Sequence, residues 1–367
     1  MPIAWSLFRY LSVKTLIGVG VFFGALSALV ILIDMVERLR IVGQMGTEAG
    51  FSEAFVITLL RAPNLTEALL PFVFLFGAMW TFSQLNRRSE LVVMRAAGLS
   101  AWRIIGPSLI VAAIVGGVTI FAYNPLSARL MAQAERFSIA ISGKGPSFVN
   151  FSSGGFWLRQ SEDSGHAIIR ASGYEDEGAG ANLKNVTVWR MNSENEISSR
   201  IDAASARLEA NRLKMREAVF SLPGEAASFR ETFEIATPFS RQQLRESAAP
   251  PDTMSIWELP QFINVAREAG FPVVRYEQHW HRLISLPAKL CAMVLIAAAF
   301  SMRQMRGGGT AQLVVFGIGA GFALFVLSDL TDALGESGLI PVSLAAWAPT
   351  LAAALFASTL ILHLEDG

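Results

Sequence analysis

Hydrophobic and polar positions divide the chain into two groups of long apolar stretches, with a long alternating segment between them. Each apolar stretch approaches the length of about 20 residues that a helix needs to cross a bilayer. The six stretches are residues 16–33, 68–85, 104–123, 283–302, 311–330 and 339–362. The pattern therefore predicts six transmembrane helices, with the third ending at Asn124-Pro125.

The segment between the two groups has a different pattern. From residue 129 to 282 no apolar run is long enough to span a membrane, and short alternating segments are separated by Gly, Asn, Ser and Asp, as is typical of β-strands joined by turns. The predicted strands are residues 155–159, 166–171, 185–191, 203–209, 212–222 and 229–237. They predict an all-β sandwich or jelly roll. A capping box at Ser255 and Glu258 predicts a short helix that ends at Gly270.

These elements predict a membrane protein in which an all-β, jelly-roll-like domain is inserted into an α-helical bundle of six transmembrane helices. The predicted parts are residues 1–128 with spans one to three, 129–273 with the β domain and short helix, and 274–367 with spans four to six.

The basic residues between the spans predict the orientation, because basic loops resist translocation. One basic loop covers residues 87–103, and another contains Arg303 and Arg306, whereas the loop between spans five and six has no Lys or Arg. Both basic loops and both termini are therefore expected in the cytoplasm. The β domain then lies outside, which in a bacterium is the periplasm.

Composition excludes several classes of protein. Of the 367 residues, 52% are hydrophobic and 16% charged, which is too apolar for one soluble domain. The net charge of zero argues against a nucleic-acid partner. The single cysteine, Cys291, excludes a disulfide within the chain.

The stretch between spans two and three, residues 86–103, is short, basic and amphipathic. A helix that starts near Ser89 places Leu91, Met94 and Leu99 near one flank. Ser89 is a candidate N-cap, and Gly98 is suited to end the helix in the left-handed conformation. Two interpretations stay open at this point. The stretch is either a cytoplasmic helix that transmits force to or from a partner protein, or a connecting loop whose arginines only set the topology.

The residues give little support for an enzyme. His279 and His281 alternate with Trp280, so on a helix they point apart, and an aromatic belt at the membrane surface explains them better than a metal site. The glycines at 307–309 are not followed by the Gly-Lys-Ser/Thr ending that a nucleotide site requires. Neither a metal nor a cofactor is expected. Lys289, within span four, either snorkels to the membrane surface or faces a cavity.

Arginines lie at the proposed outer ends of the spans. Arg38 and Arg40 follow the first apolar run, and Arg129 and Arg136 follow the third. Arginine at this depth either grips phosphate through paired donors or serves as ordinary interfacial anchoring.

The order of three spans, a β domain and three further spans resembles the lipopolysaccharide export permeases of the LptF/LptG (YjgP/YjgQ) family. RRSELVVMRAAGLSAWR, residues 87–103, is similar to that family's coupling helix, and VERLRIVGQ, residues 36–44, to the outer end of its first span. Both stretches are more similar to LptG than to LptF. In one departure, Asp34 stands where some members have a lysine.

The resemblance implies a permease without catalytic residues, which works with the other permease, a dimer of the ATPase LptB and the single-span protein LptC. Such a complex extracts lipopolysaccharide from the inner membrane and passes it along a periplasmic bridge. The family's coupling glutamate matches Glu90, and its basic lipid contacts match Arg38 and Arg40, with Arg129 and Arg136 as further candidates. The residues expected to couple to the ATPase are Arg87, Arg88, Glu90, Leu91, Val92, Met94, Arg95 and Gly98.

Two other functions stay open from the residues alone. One is a transporter driven by an ion gradient, which would need ionisable residues deep within spans, where only Lys289 and Asp329 are candidates. The other is a membrane-anchored scaffold whose β domain binds protein without moving a substrate.

Overall fold

The computed structural model describes residues 2–44, 50–142, 149–152, 155–162, 165–177, 180–192, 196–209, 212–224, 226–237, 250–268, 271–302 and 310–366. The chain forms two compact units, one of Met1–Ala134 with Glu277–Gly367 and the other of Glu135–Tyr276. The predicted basic loop with Arg303 and Arg306 and the predicted helix end at Gly270 lie outside the described residues.

The first unit is helical, and the six predicted spans are confirmed in it as helices long and apolar enough to cross a membrane. The helices are longer than the apolar runs because polar turns extend them at one or both ends. In chain order the helices are α1 (Pro2–Gln44), α2 (Phe51–Arg87), α3 (Glu90–Ala96), α4 (Ala101–Val118), α5 (Asn124–Ser142), α6 (Leu259–Glu268), α7 (Val274–Ser301), α8 (Thr310–Glu336) and α9 (Val342–Asp366). Helix α6 lies wholly in the second unit, α5 continues into that unit, and α7 begins in it.

The predicted end of the third span at Asn124-Pro125 is wrong. The helix continues from α4 through a π turn at Thr119–Tyr123 into α5, which ends at Ser142. Proline lacks a backbone N–H and clashes with the preceding turn of a regular α-helix. A wider turn just before Pro125 offers the room that a regular turn would not, so the helix passes the proline instead of stopping at it.

Helices α1 and α2 approach each other closely at two glycines. A Cβ atom on Gly18 would lie 2.7 Å from the carbonyl oxygen of Gly77, so neither position has room for a side chain. One turn further, the hydroxyl of Thr81 donates to the carbonyl oxygen of Lys14 at 3.3 Å. Small residues allow such close approach between membrane helices. The first half of α1 is thereby fixed on α2.

The core of this unit consists of large α2 side chains against small residues of α7. Phe74, Phe82 and Leu85 are fully buried, and they belong to one cluster with Ala292 and Ala297. Alternating large and small side chains let the helices fill the space between them closely.

The second unit contains an eight-stranded antiparallel sheet, which confirms the predicted all-β domain. Its strands pair in the order β1-β2-β3-β5-β6-β7-β8, with β4 also on β5. They are β1 (Val149–Ser152), β2 (Gly155–Glu162), β3 (Gly165–Ala171), β4 (Gly173–Glu177), β5 (Gly180–Asn192), β6 (Ile197–Glu209), β7 (Arg212–Ser221) and β8 (Ser228–Ala236).

All six predicted strands are present, and the sequence missed β1 and β4. Both are short, and the charges in β4 leave no alternating apolar pattern to detect. One half of the predicted capping box is present, since the backbone N–H of Ser255 donates to the Glu258 carboxylate at 3.0 Å. α6 begins at the next residue, and Pro260 lies in its first turn, where proline is tolerated.

Candidate functional site

The short helix α3 follows α2 and precedes α4 in the chain, and a turn at each of its ends separates it from them. Ser89 precedes it in the left-handed conformation, with a φ of 58°, and its side chain makes no capping hydrogen bond, so the predicted cap is wrong in that respect. Gly98, with a φ of 81°, ends the helix as predicted. The backbone N–H of Gly98 donates to the carbonyl oxygen of Arg95, and the N–H of Leu99 donates to the carbonyl oxygen of Met94. These two bonds form the Schellman motif.

The two faces of α3 have opposite environments. Leu91 and Met94 are 2% and 8% exposed and belong to the core of the helical unit, so in this conformation they are not available to a partner. Val92 and Val93 point outward with 44% and 66% exposure, and Arg95 is exposed as well. The sequence placed Leu91 and Met94 among the docking residues and did not include Val93.

Glu90, the first residue of α3, is bound by two side chains of α1. The hydroxyl of Tyr10 donates to its Oε2 at 2.8 Å. The ammonium of Lys14 lies 3.2 Å from Oε1 and 3.3 Å from Oε2, and also 4.5 Å from the centre of the Tyr10 ring. These three residues, called here the Glu90 clamp, join the coupling stretch to the first span.

Sequence reasoning missed Tyr10 and Lys14. Their spacing of four residues puts both side chains on one face of a helix, which is a usable signal. It does not say which acidic residue they meet, since Glu90 is 76 residues from Lys14 in the chain.

The clamp keeps Glu90 ionised. Burial alone would raise the pKa of its carboxyl, but the hydrogen bonds from Tyr10 and Lys14 and the positive charges of Lys14 and Arg88 outweigh it. The pKa therefore lies below its ordinary value. The side chain is 27% exposed and that of Lys14 16%, so solvent screens the pair only in part.

The α1 residues at the clamp are also tied to the neighbouring spans. Thr15, next to Lys14, is fully buried and shares a hydrogen bond of 2.8 Å with Ser108 of α4. The Lys14 carbonyl accepts from Thr81 of α2. A displacement of α3 thus acts on a point of α1 that contacts two further helices.

A second charged cluster lies about 30 Å further along α1, twenty residues at 1.5 Å each. The Oδ1 of Asp34 is 3.6 Å from Arg38 Nε, one turn on, and 3.7 Å from Arg61 Nε of α2. All three side chains are at most 21% exposed. Sequence reasoning identified Arg38 but not Arg61, and this cluster is called here the Asp34 cluster.

The other predicted lipid contacts are more exposed. Arg40 is 68% exposed and pairs with Glu37 at 3.4 Å. Arg129 and Arg136 are both exposed on α5, the former in the helical unit and the latter in the other unit. The structure therefore brings Arg38 together with Arg61 and Asp34.

A polar group also lies between α7 and α8. Gln278 donates a short hydrogen bond to Asp332, and Lys289 is close enough to interact electrostatically with the same carboxylate. Arg282 donates to Nδ1 of His279 at 2.9 Å. Because the Arg282 guanidinium already donates to this ring nitrogen, the arrangement disfavours a metal ion at Nδ1 of His279. Of the two predicted options for Lys289, this neighbourhood favours a polar site within the protein.

A family model and two known proteins that match this chain all carry the name of the same group of permeases. The family model described as lipopolysaccharide export system permease LptF/LptG matches residues 9–363. The chain is 26% identical over 359 residues to the lipopolysaccharide export system permease protein LptG of Haemophilus influenzae, a match that covers 94% of this chain and 95% of that protein. It is 25% identical over 325 residues to the LptG of Escherichia coli K12, with 87% of each chain covered.

Proposed function

The chain belongs to the lipopolysaccharide export permease family LptF/LptG, as its sequence predicts, and we propose that it is the LptG-type subunit of an ATP-driven exporter. In this proposal it pairs with an LptF-type permease, a cytoplasmic dimer of the ATPase LptB and the single-span protein LptC. The assembly extracts lipopolysaccharide from the inner membrane and passes it to a periplasmic bridge. The permease itself is not catalytic, and its partner hydrolyses the ATP.

The proposed topology follows from charge and chain order. The basic residues of the loop that contains α3 favour the cytoplasm. One span separates α3 from the β sheet, so the sheet belongs on the periplasmic side, and six spans return the C-terminus to the cytoplasm.

The Glu90 clamp is the observation that carries the proposed coupling. A helix of seven residues has little stability of its own, so it moves with whatever holds it. Leu91 and Met94 hold α3 on the bundle, and Glu90 holds it on α1. The outward face, with Val92, Val93 and Arg95, is left for the ATPase.

The proposed transmission follows these contacts. A change in the ATPase moves α3, the clamp carries the displacement to α1, and the hydrogen bonds at Thr15 and Thr81 distribute it to α4 and α2. Because packed helices shift between discrete arrangements and do not deform continuously, a small movement at α3 suffices to change how α1 packs.

The proposed lipid site is at the other end of α1. Arg38 and Arg40 are assigned to the phosphates of lipopolysaccharide, as the family resemblance implies, and Arg61 joins them through its position beside Asp34. Arg129 and Arg136 remain proposed contacts further along the rim. Asp34 occupies the arginines when no phosphate is present, so lipid binding requires an exchange of anions at this point.

The periplasmic bridge is proposed to attach by strand addition. Strands β1 and β8 lie at the two ends of the described sheet, and each leaves one edge without a described neighbour. Such an edge can pair with a strand of another β protein.

Reconstituted vesicles test the proposal. The chain is combined with its partner permease, the ATPase and LptC, and lipopolysaccharide release to a soluble β-protein acceptor is measured with ATP, without ATP and with an ion gradient alone. We expect release only with ATP. Release driven by the gradient would favour an ion-coupled transporter, and binding of the acceptor without release would favour a scaffold.

A further inference from the structure

The pairing of the β sheet is interrupted along a line that crosses three neighbouring strands. The line passes through Asn185 of β5, Ala204 of β6 and Glu217 of β7, and within the described sheet the pairs next to it on both sides keep the same register. Asn185 and Glu217 have positive φ values of 46° and 55°, which residues other than glycine rarely adopt. Each strand thus contains one residue that breaks its alternation. Leu183 and Val186 of β5 are accordingly both buried, although they are three residues apart. This line of residues is called here the crease.

The crease divides the outer surface of the sheet, which is the surface opposite the buried apolar side chains, into two parts of different character. On one side of the crease the exposed side chains are charged and pair with one another, as Lys214 does with Glu209 at 3.6 Å and with Glu234 at 3.7 Å. On the other side Trp157 and Trp189 stack on each other, with ring centroids 5.5 Å apart. Paired charges are typical of a solvated surface, whereas tryptophans gathered on a surface suit contact with a ligand.

A row of side chains beside the crease extends the aromatic part across six strands. At matching positions of β2, β3, β5, β6, β7 and β8 the row consists of Trp157, Arg170, Thr187, Asp202, Val219 and Phe229. With strands about 4.8 Å apart, the row is about 24 Å long. Its two ends are aromatic, and Phe229 is 68% exposed. Its middle is polar, so a ligand that lies along the row meets both rings and hydrogen-bonding groups.

A cavity of about 480 Å³ is formed jointly by this row and the crease. Its polar lining consists of Arg170, Ser172, Asn185, Thr187, Asp202 and Glu217. The Asp202 carboxylate is held in place, because it accepts hydrogen bonds from Thr187 at 2.8 Å and from Arg200 at 2.8 and 3.0 Å. The volume lies within the range of about 300–1,000 Å³ that is usual for small-molecule sites. The cavity is therefore large enough for a ligand and is organised around a fixed acceptor.

The charges at the cavity balance, and this balance indicates the chemistry of the ligand. Arg170 and Arg200 contribute two positive charges, and Asp202 and Glu217 contribute two negative ones. A phosphate would need a surplus of donors and a metal ion a surplus of oxygen ligands, whereas this cavity offers donors and acceptors together. A neutral ligand that is rich in hydroxyl and amide groups uses both.

We infer that this site binds a neutral saccharide, namely the N-acetylated glycan strand of the bacterial cell wall. The hydroxyl and acetamido groups of one sugar form hydrogen bonds with Asn185, Asp202 and Glu217. The apolar C–H face of a neighbouring sugar ring packs on Trp157 or Trp189. A linear glycan also fits the shape of a row that crosses six strands.

The choice of glycan rests on the proposed function, because that proposal places the β domain in the periplasm, where the cell wall lies. Lipopolysaccharide also contains sugars, but those next to its lipid carry phosphate and carboxylate groups, which a charge-balanced cavity does not favour. A bridge to the outer membrane has to pass the cell wall. Binding at the crease holds the β domain against the wall at the point where the bridge passes it.

Cosedimentation of the full chain in nanodiscs with purified, protein-free cell-wall sacculi tests the inference. We expect the chain to sediment with the sacculi in a saturable manner, and a soluble tetramer of N-acetylglucosamine to release it. Asn185→Gly combined with Glu217→Gly removes two bonding side chains and keeps both positive φ values, which glycine adopts readily, so the sheet should fold normally. The loss of these hydrogen bonds should weaken binding about tenfold.

Two further variants separate the aromatic contact from general effects on the sheet. Trp189→Ala removes one of the stacked rings, so it should also weaken binding to the sacculi, with the cavity side chains left in place. Lys214→Ala changes an exposed charge on the other side of the crease, and this variant should sediment like the unmodified chain.

Three results would overturn the inference: no sedimentation with the sacculi, equal sedimentation of the double glycine variant and the unmodified chain, or release by the phosphorylated core oligosaccharide of lipopolysaccharide at a lower concentration than by the tetramer. Sedimentation requires neither ATP nor the partner subunits, so it can fail while ATP-driven release succeeds. Release can equally fail while the glycan still binds.

Discussion

The two ends of α1 carry similar chemical groups in opposite arrangements. In the Glu90 clamp the acid comes from α3, and α1 supplies Tyr10 and Lys14 at hydrogen-bonding distances of 2.8 and 3.2 Å. In the Asp34 cluster the acid is on α1 itself, and its distances to the two arginines are 3.6 and 3.7 Å.

The difference in geometry indicates a difference in task. Within the described chain, Asp34 Oδ2 and Arg38 Nε have no hydrogen-bond partner, although both are buried. A buried polar atom without a partner is costly, so the Arg38 Nε–H gains from an anion that would take the place of the Asp34 carboxylate. The clamp is closely fitted and suited to transmit force, whereas the cluster is loose and suited to exchange its carboxylate for a phosphate.

Among these predictions, the largest effect is expected from a substitution on the exposed face of α3, and it is an effect on ATPase binding. Val93→Asp places a charge in the centre of the proposed docking surface, where burying it unpaired would weaken ATPase binding about a hundredfold. Co-purification with the ATPase measures this. Val93→Ala keeps the helix and the apolar surface and should bind nearly normally. If Val93→Asp retained the ATPase at full stoichiometry, the docking face would lie elsewhere.

An effect of about tenfold is expected at the clamp itself. Lys14→Glu places two carboxylates together and removes a charged hydrogen bond. Either change should be enough to slow ATP-driven release about tenfold. Glu90→Ala should do the same while the ATPase still co-purifies. Glu336→Ala, which removes an exposed carboxylate from the end of α8, serves as the control.

The reversed pair distinguishes transmission from general damage. Lys14→Glu combined with Glu90→Lys restores opposite charges at the same position, so release should recover in the double variant. A double variant as slow as either single one would mean that the contact between α1 and α3 does not carry the coupling.

A smaller change, about fivefold, is expected at the Asp34 cluster. Asp34→Asn removes the competing carboxylate, so photocrosslinking of Arg38 and Arg61 positions to lipopolysaccharide should increase. Arg38→Glu with Arg40→Glu should reduce it by a similar factor. Crosslinking that is insensitive to the charge at all of these positions would refute the proposed phosphate contact.

The sequence predicts the parts of this fold that depend on local pattern. Six spans follow from apolar length, and six of the eight strands from alternation. The third span was predicted too short because proline usually ends a helix, and the π turn at Thr119–Tyr123 has no sequence signal of its own.

For each contact of the candidate site, the sequence predicted one of the two partners and not the other. Amphipathicity identified the flank of α3 that carries Leu91 and Met94, but not that this flank faces the core and leaves Val93 exposed. Glu90 was identified by resemblance, whereas Lys14 depends on the packing of α1 on α2, which brings together residues far apart in the chain.

The smallest effect is expected from pH, again at the clamp. Because the contacts lower the pKa of Glu90 below its ordinary value of 4.5, they stabilise the clamp fully above that value and are lost as the pH falls through the lowered pKa. Hydrogen exchange of the α3 amides is the measurement. Protection should be constant from about pH 8 to pH 5 after correction for intrinsic exchange, and should fall only at more acidic pH. Glu90→Gln cannot ionise, so its protection should be lower throughout and free of this acid transition. A transition near neutral pH in the unmodified chain would mean that another group controls the contact.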